Sequence, residues 1–263
     1  MPVSQAAKVL VRSRSVAFTR DYLTRAVDTG RLGEYTWRGH RIHYRAGSSD
    51  TVLIYRILLK CGNKGEYCPP GEFEQTWDSV RVVLDFGANI GISAIYFASI
   101  FPNAVIHAFE PEPGNFELLA KNTAGCGRIR RHPFALGGQD GEITLFESSD
   151  RANLGGFTAH PHRTADCQGG KPVAMRHAGR FLAELGITSA DVIKIDTEGA
   201  EWDILTACDP ALISSARLIL GELHGRRDFA LLDYLQGTFH IGLSKGIKKR
   251  LFNFCAVNRG PPG

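Results

Sequence analysis

Three short runs bring together residue types that can do chemistry. The first is Asp85-Phe86-Gly87-Ala88-Asn89-Ile90-Gly91, a glycine turn closing the apolar run VRVVLDF. Glycines between a strand and a helix let the backbone approach a ligand, and the helix start offers N–H groups to an anionic part of it. The second is Glu110-Pro111, closing the apolar run AVIHAF, where a carboxylate can accept two hydrogen bonds from a ribose diol. A glycine turn alone often serves packing; an acid at the end of the next strand turns the reading toward a nucleoside. The turn departs from G-x-G-x-x-G, because Asn89 and Ile92 stand at its second and third glycine positions, and this argues against a nicotinamide cofactor.

The third run is split between DVIKIDTEGAE, with Asp196, Glu198 and Glu201, and ARLILGELHG, with Glu222 and His224. Carboxylates and an imidazole at neighbouring strand ends can orient a hydroxyl and accept its proton. Alternatively, Asp196 and Glu222 can hold a divalent cation such as Mg²⁺ that acidifies the hydroxyl. A plainer reading stands beside these: Glu198 and Glu201 suit a helix N-terminus, which favours negative charge, and His224 beside Gly225 suits a solvated loop.

These residues need a scaffold, and from residue 76 the chain supplies one as alternating strand and helix. Apolar runs predict strands at 80–88, 104–111, 129–137, 191–199 and 216–225. Helices are expected at 90–101, 113–125, 176–187, 200–208 and 227–237, with an extended excursion at 141–149 and a long polar loop over 150–175. The chain finishes with extended runs 238–245 and 250–258. The expected fold is α/β: a mostly parallel sheet covered on both faces, with an antiparallel hairpin at one edge. Ligands of such sheets sit beyond the C-terminal strand ends, where all three chemical runs fall.

Residues 1–75 read as an N-terminal cap over the acceptor site, or a dimer contact, joined to a cofactor-binding domain at 76–263. The cap is expected to hold a helix at 15–30 ended by Gly30, a hairpin at 34–45 turning on Arg38-Gly39, a helix at 50–60 capped by Asp50, and a loop at 61–73. Tyr22, Trp37 and Tyr67 can line an apolar acceptor pocket or pack the cap onto the sheet.

An acid two positions before the first glycine resembles the opening motif of class I S-adenosylmethionine-dependent methyltransferases. IKIDTEGAE, with DFGANIG, AFEPEP and the Ala135-Leu136-Gly137 of the third strand, narrows this to a resemblance to the FkbM family over residues 80–225. The resemblance implies a Rossmann-like sheet, S-adenosyl-L-methionine as cofactor, and O-methylation of polyketide, sugar or other natural-product hydroxyls. It implies that Asp85, Gly87, Asn89 and Gly91, with Ala88, surround the methionyl part and that Glu110, beside Pro111, holds the ribose. Asp196 is expected both to contact the cofactor and, with Glu222, His224 and Glu198, to act in catalysis. Many class I enzymes bind adenine with an acid at the end of the third strand; Phe134-Ala135 stands there, so backbone and apolar contacts must serve.

Composition fits an enzyme of this kind. The 263 residues are 43% hydrophobic and 22% charged, with net charge +4, which suits a single domain plus an appendage and excludes disordered or fibrous classes. No apolar run reaches the ~18 residues of a membrane span, and arginines interrupt the N-terminal apolar positions, so a cytoplasmic protein is expected. Cys61, Cys68, Cys126, Cys167, Cys208 and Cys255 show no C-x-x-C pair and read as reduced thiols. His160 and His162 lack partners at ligand spacing, Trp202 reads as core, and Lys245, Lys248, Lys249 and Arg250 read as a solvated turn. A small-molecule acceptor is expected rather than nucleic acid, since the basic residues form no stripe with aromatics. An N-methyltransferase and a non-catalytic cofactor-binding protein remain as alternatives.

Overall fold

The computed structural model describes residues 3–24, 30–60, 65–147, 157–158, 170–224, 226–244 and 252–260. Its centre is a seven-stranded sheet built from β3 (Val82–Phe86), β4 (Val105–Phe109), β5 (Ile129–His132), β10 (Val192–Ile195), β11 (Leu218–Leu223), β12 (Phe239–Ser244) and β13 (Phe252–Asn258). The strand order is β12-β13-β11-β10-β3-β4-β5. The five strands from β11 to β5 run parallel, and β13 and β12 add antiparallel at one edge. The order reverses between β3 and β10, which makes their C-terminal ends the switch point where a ligand crevice opens.

The parallel strands are apolar on both faces because helices cover both. Helix α4 (Ile92–Ile100) buries seven of its nine residues, so it lies wholly inside, between the sheet and the N-terminal segment. α5 (Pro113–Thr123) follows β4, while α6 (Ala178–Glu184), α7 (Glu201–Ala207), α8 (Pro210–Ser215) and α9 (Arg226–Leu235) serve the other half. Residues 210–215, not expected to be helical, start with Pro210 behind an Asp209 cap whose carboxylate accepts from Ala211 N–H.

The stretch 129–137 is two strands, with His132 ending β5 and β6 (Ala135–Gly137) leaving for a second sheet. There β6 pairs with β9 (Gly170–His177), β9 with β7 (Gly141–Glu147), and β7 with β8 (Phe157–Thr158). Residues 170–175, expected to be loop, are therefore strand, and α6 begins only at Ala178, with His177 as its cap. The glycine and proline content of that stretch hid the pairing partner, since Gly170 lies against Thr144 and Phe146 where no side chain fits.

The N-terminal segment holds α1 (Val3–Ser13), α2 (Val16–Leu23), a hairpin of β1 (Leu32–Trp37) and β2 (His40–Arg45), and α3 (Ser49–Ile54). The hairpin turns on Arg38 and Gly39, both at positive φ, the geometry a two-residue turn needs. α1 was not anticipated, and the expected single helix over 15–30 is α2 alone. Ser48 rather than Asp50 caps α3; Asp50 takes two hydrogen bonds from the Arg45 guanidinium instead. α3 continues into a π-helical turn (Tyr55–Leu59), and Gly71–Ser79 is 3-10 helix where a loop end was expected.

The segment joins the core of the sheet rather than resting on it. Phe18, Tyr44, Ile54 and Ile57 share one buried cluster with Ile92, Ile95 and Phe97 of α4. Two asparagines of α5 fasten it: Asn122 Oδ1 accepts from His43 N–H at 2.7 Å, and Asn115 Oδ1 accepts from Arg45 Nη2 at 2.8 Å. Among the described residues, no helix is long and apolar enough to cross a membrane.

Candidate active site

One cleft opens at the switch point. It is lined by Gly87, Ala88 and Asn89 of the turn after β3, by Glu110 and Pro111 after β4, by Phe134 and Ala135 beyond β5, by Asp196, Thr197 and Glu198 after β10, and by Glu222 of β11. Val52, Leu53, Arg56, Ile57, Glu66 and Tyr67 of the N-terminal segment close its other wall. Most of the sequence-predicted residues thus meet in one space. Asp85, Gly91 and His224 do not line it; His224 is packed behind the carboxylates that do.

Both glycines of the turn are required by packing, and Gly87 also lines the cleft. A Cβ on Gly87, whose φ is +78°, would fall 1.9 Å from the carbonyl oxygen of Asp196. A Cβ on Gly91 would fall 2.8 Å from Leu119 Cδ1 of α5. Asn89 also takes a left-handed φ and accepts from Ile90 N–H through its own Oδ1. Asp85 is fully buried beneath the turn, accepting from Ser93 Oγ at 2.6 Å and lying 3.3 Å from Lys194 Nζ. Lys194 Nζ in turn donates to the carbonyls of Gly87 at 2.6 Å and Phe86 at 3.2 Å. The Asp85–Lys194 pair therefore holds the turn from below.

Glu110 is held for hydrogen bonding. Its Oε2 accepts from Asn89 N–H at 2.8 Å and its Oε1 from Glu112 N–H at 2.9 Å, with Asn115 Nδ2 more distant at 3.4 Å. Burial pushes its carboxyl up to about 7, against the pull of those N–H donors. A carboxylate has about four lone-pair sites, so the set leaves Oε2 able to accept from a hydroxyl in the cleft.

At the other end stands an acidic cluster around one imidazole. Asp196 Oδ2 accepts from Tyr67 Oη at 2.5 Å, so the N-terminal segment reaches the end of β10 directly. His224 Nε2 lies 3.6 Å from Asp196 Oδ1, 3.4 Å from Glu198 Oε2 and 3.7 Å from Glu222 Oε2, and its Nδ1 lies 3.1 Å from Glu201 Oε1. Burial alone would lower the His224 value; the Glu201 hydrogen bond and the charges of Asp196, Glu201 and Glu198 outweigh it and hold the imidazole up at about 10. Burial, with Asp196 nearby, pushes Glu198 up to about 7 and Glu222 up to about 8. Glu222 Oε1 accepts from Asn253 Nδ2 at 3.0 Å. Among the described residues, Asp196, Glu201 and His224 each offer a ligand atom for a metal within 4.8 Å of one another, a set that swaps Glu201 for the expected Glu222.

Several contributors were missed or read otherwise. Lys194 was visible as a lysine inside the apolar strand VIKI, a residue that needs a buried partner. Arg56 and Glu66, paired at 2.7 Å in the far wall, carry no local pattern that marks them. Tyr22 packs on Phe18 and Tyr55, Trp37 stacks with Arg38, and Trp202 packs partly buried beside Tyr234, so of the cap aromatics weighed for the acceptor pocket only Tyr67 lines the cleft. Cys68, Cys126, Cys208 and Cys255 are in no disulfide among the described residues. His160, His162, Cys61, Cys167, Lys245, Lys248, Lys249 and Arg250 lie outside the described residues.

Known proteins share part of this sequence. The chain is 30% identical over 149 residues to the hexuronic acid methyltransferase AglP of Haloferax volcanii, covering 56% of this chain and 57% of that one. It is 27% identical over 135 residues to the 2-O-methyltransferase NoeI of Sinorhizobium fredii, covering 47% and 56%. A match of 29% over 191 residues to the AMB antimetabolite synthetase AmbE of Pseudomonas aeruginosa covers 57% of this chain and 9% of that protein. The chain thus spans little more than half the length of the two methyltransferases it matches, and a small part of the synthetase. Among solved structures, the methyltransferase FkbM of Methylobacillus flagellatus KT is similar with a TM-score of 0.48 and 20% identity, covering 68% of this chain and 44% of that one. The methyltransferase FkbM domain model matches residues 85–240, more than half of the chain. It begins at Asp85 and takes in the glycine turn, Glu110 and the whole Asp196–His224 cluster, and the chain belongs to the FkbM methyltransferase family.

Proposed function

We propose that this protein is an S-adenosylmethionine-dependent O-methyltransferase acting on a hydroxyl of a small molecule, a sugar or polyketide-type alcohol in natural-product biosynthesis. The observation that carries the reading is that one cleft holds Glu110 and the glycine turn at one end and Asp196, Glu198 and Glu222 at the other, with His224 packed behind those carboxylates. The donor set fits the cofactor: Glu110 offers oxygens to a ribose diol, Phe134 and Ala135 offer an apolar wall, and the surplus of carboxylates suits a sulfonium. Bound there, S-adenosylmethionine would supply an already activated methyl group.

What remains for the chain is alignment of the acceptor and removal of its proton. Asp196, oriented by Tyr67, can accept a hydrogen bond from the acceptor hydroxyl and fix its direction. His224 Nε2 lies beside the same carboxylate and can take the proton once the imidazole is neutral. Glu198 and Glu222 flank that nitrogen and stabilise the imidazolium that forms. Leu53, Ile57 and Val52 offer the acceptor an apolar face, and Arg56 a polar one. Among the relatives' names, 2-O-methyltransferase supports an oxygen acceptor and hexuronic acid methyltransferase a sugar-type one.

The test is S-adenosylhomocysteine release with a panel of methyl α-D-glucuronide, methyl α-D-glucoside and a secondary macrolide alcohol, followed by mass spectrometry of the product. Methyl ethers on one of these support the reading. Methylated amines from a matched amino-sugar, with no ether formed, would replace it with N-methylation.

A further inference from the structure

We propose that Glu201 is the positioning residue of this site, accepting the Nδ1–H of His224 and thereby turning Nε2 toward the cleft-lining carboxylates of Asp196, Glu198 and Glu222. The inference rests on the reading of His224 as proton acceptor and adds a residue to it. Glu201 was expected to stand at a helix start and favour the N-terminal end of the dipole. Such a carboxylate would be solvated, whereas Glu201 is 0% exposed. Its Oε1 gathers four donors: Thr197 N–H at 2.8 Å, Gly199 N–H at 3.2 Å, Thr197 Oγ1 at 3.2 Å and His224 Nδ1 at 3.1 Å.

Two of those donors are backbone groups, so the carboxylate cannot turn away to follow the imidazole; the imidazole must follow it. The ring is then fixed with Nδ1 toward the protein and Nε2 toward Asp196, Glu198 and Glu222. A hydrogen bond on one ring nitrogen decides which nitrogen is left for chemistry. The same oxygen also braces the loop carrying Asp196 and Glu198. Thr197 and Gly199 flank Glu198, whose φ of +56° is one a glutamate adopts only under constraint. One buried oxygen therefore sets the histidine and both carboxylates relative to each other. The groups facing His224 are Glu222 from its own strand, Asp196 and Glu198 from the loop after β10, and Glu201 from α7, with Tyr67 behind Asp196.

The experiment uses the full chain labelled with [¹⁵N]histidine and saturated with S-adenosylhomocysteine, with His224→Gln assigning the resonance. The expected signature is a far-downfield Nδ1 proton on His224, slow to exchange, that moves upfield in Glu201→Gln and vanishes in Glu201→Ala. Initial rates with methyl α-D-glucuronide accompany it: Glu201→Ala should lower kcat at least ~10-fold and by no more than the ~10²–10⁴-fold expected for losing the base, while S-adenosylhomocysteine affinity stays within about twofold. Glu201→Gln, which keeps the accepting oxygen, should recover part of that loss. If Glu201→Ala does not fold, the wild-type and Glu201→Gln spectra decide alone. An Nδ1 of wild-type His224 with no hydrogen-bonded proton overturns the inference, even where His224→Gln abolishes turnover. Near-normal turnover of His224→Gln instead overturns the base assignment on which the inference rests.

Discussion

Replacing Lys194 with Met tests how the glycine turn is held. Lys194 and Asp85 are side chains 3% and 0% exposed, 3.3 Å apart. Met keeps most of the volume and removes the charge, so Asp85 loses the cation that offsets its burial, while burial already pushes its carboxyl above the ordinary range. Removing one partner of a buried ion pair costs ~3–5 kcal/mol, and replacing both by neutral groups often costs little. Lys194→Met should therefore lose ~3–5 kcal/mol of stability, and Asp85→Asn/Lys194→Met should return to within about 1–2 kcal/mol of the parent, since Asn still accepts from Ser93. Gly87 also loses its 2.6 Å donor, so S-adenosylhomocysteine affinity should fall in the single variant. Urea unfolding of parent, both single variants and the double gives the coupling energy, and calorimetry gives the affinity. A Lys194→Met loss below about 1 kcal/mol, or single-variant losses that simply add, refutes the claim that this pair holds the turn.

Gly87→Ala should cost ~1–2 kcal/mol for its left-handed backbone, and more for displacing the Asp196 carbonyl 1.9 Å from the new Cβ; melting temperature and turnover should fall together, and an unchanged turnover would uncouple the two ends of the cleft. Tyr67→Phe removes the hydrogen bond to Asp196, ~1.5–3 kcal/mol for a charged acceptor, and steady-state kinetics should show kcat reduced with S-adenosylhomocysteine affinity kept. Asp196→Asn should lower turnover ~10²–10⁴-fold, whereas exhaustive EDTA should leave the parent rate unchanged; a rate lost to EDTA and restored by Mg²⁺ would assign the cluster to a cation. Stability should fall as pH rises from 7 to 9. Glu222 and His224 hold protons in the folded chain up to about 8 and about 10, above their unfolded values, so their contribution is present at lower pH and lost as pH rises through those values; a flat or rising melting temperature contradicts this.

Much of the sheet was legible because buried parallel strands are apolar runs of fixed length: VVLDF, VIHAF, VIKI and LILGEL stand out without knowledge of their partners. The chemical residues were legible for a related reason, since Asp196, Glu110 and Glu222 interrupt or end such runs. What the pattern hid depends on distant partners. β9 is a strand only because β7 lies beside it, and nothing in GKPVAMRH announces that pairing. Asp50 resembles a helix cap locally, but Arg45 on the preceding strand claims it. Glu201 resembles a solvated helix start until His224, from another strand, is brought against it. The packing demand on Gly87 was hidden for the same reason, because its close neighbour is the backbone of residue 196.

Asp196 is where these separate constraints meet. Its carbonyl occupies the space above Gly87, its N–H donates to Phe86 O at 3.1 Å, and its carboxylate joins Tyr67 from the N-terminal segment to His224 just after β11. The turn that borders the proposed cofactor site and the carboxylate that would orient the acceptor therefore share one stretch of backbone and cannot move independently. Tyr67 adds a third connection, because it lines the cleft from the N-terminal segment and donates to Asp196 there. The N-terminal segment therefore does more than wall the cleft: through Tyr67 it holds the carboxylate at the end of β10 in one orientation.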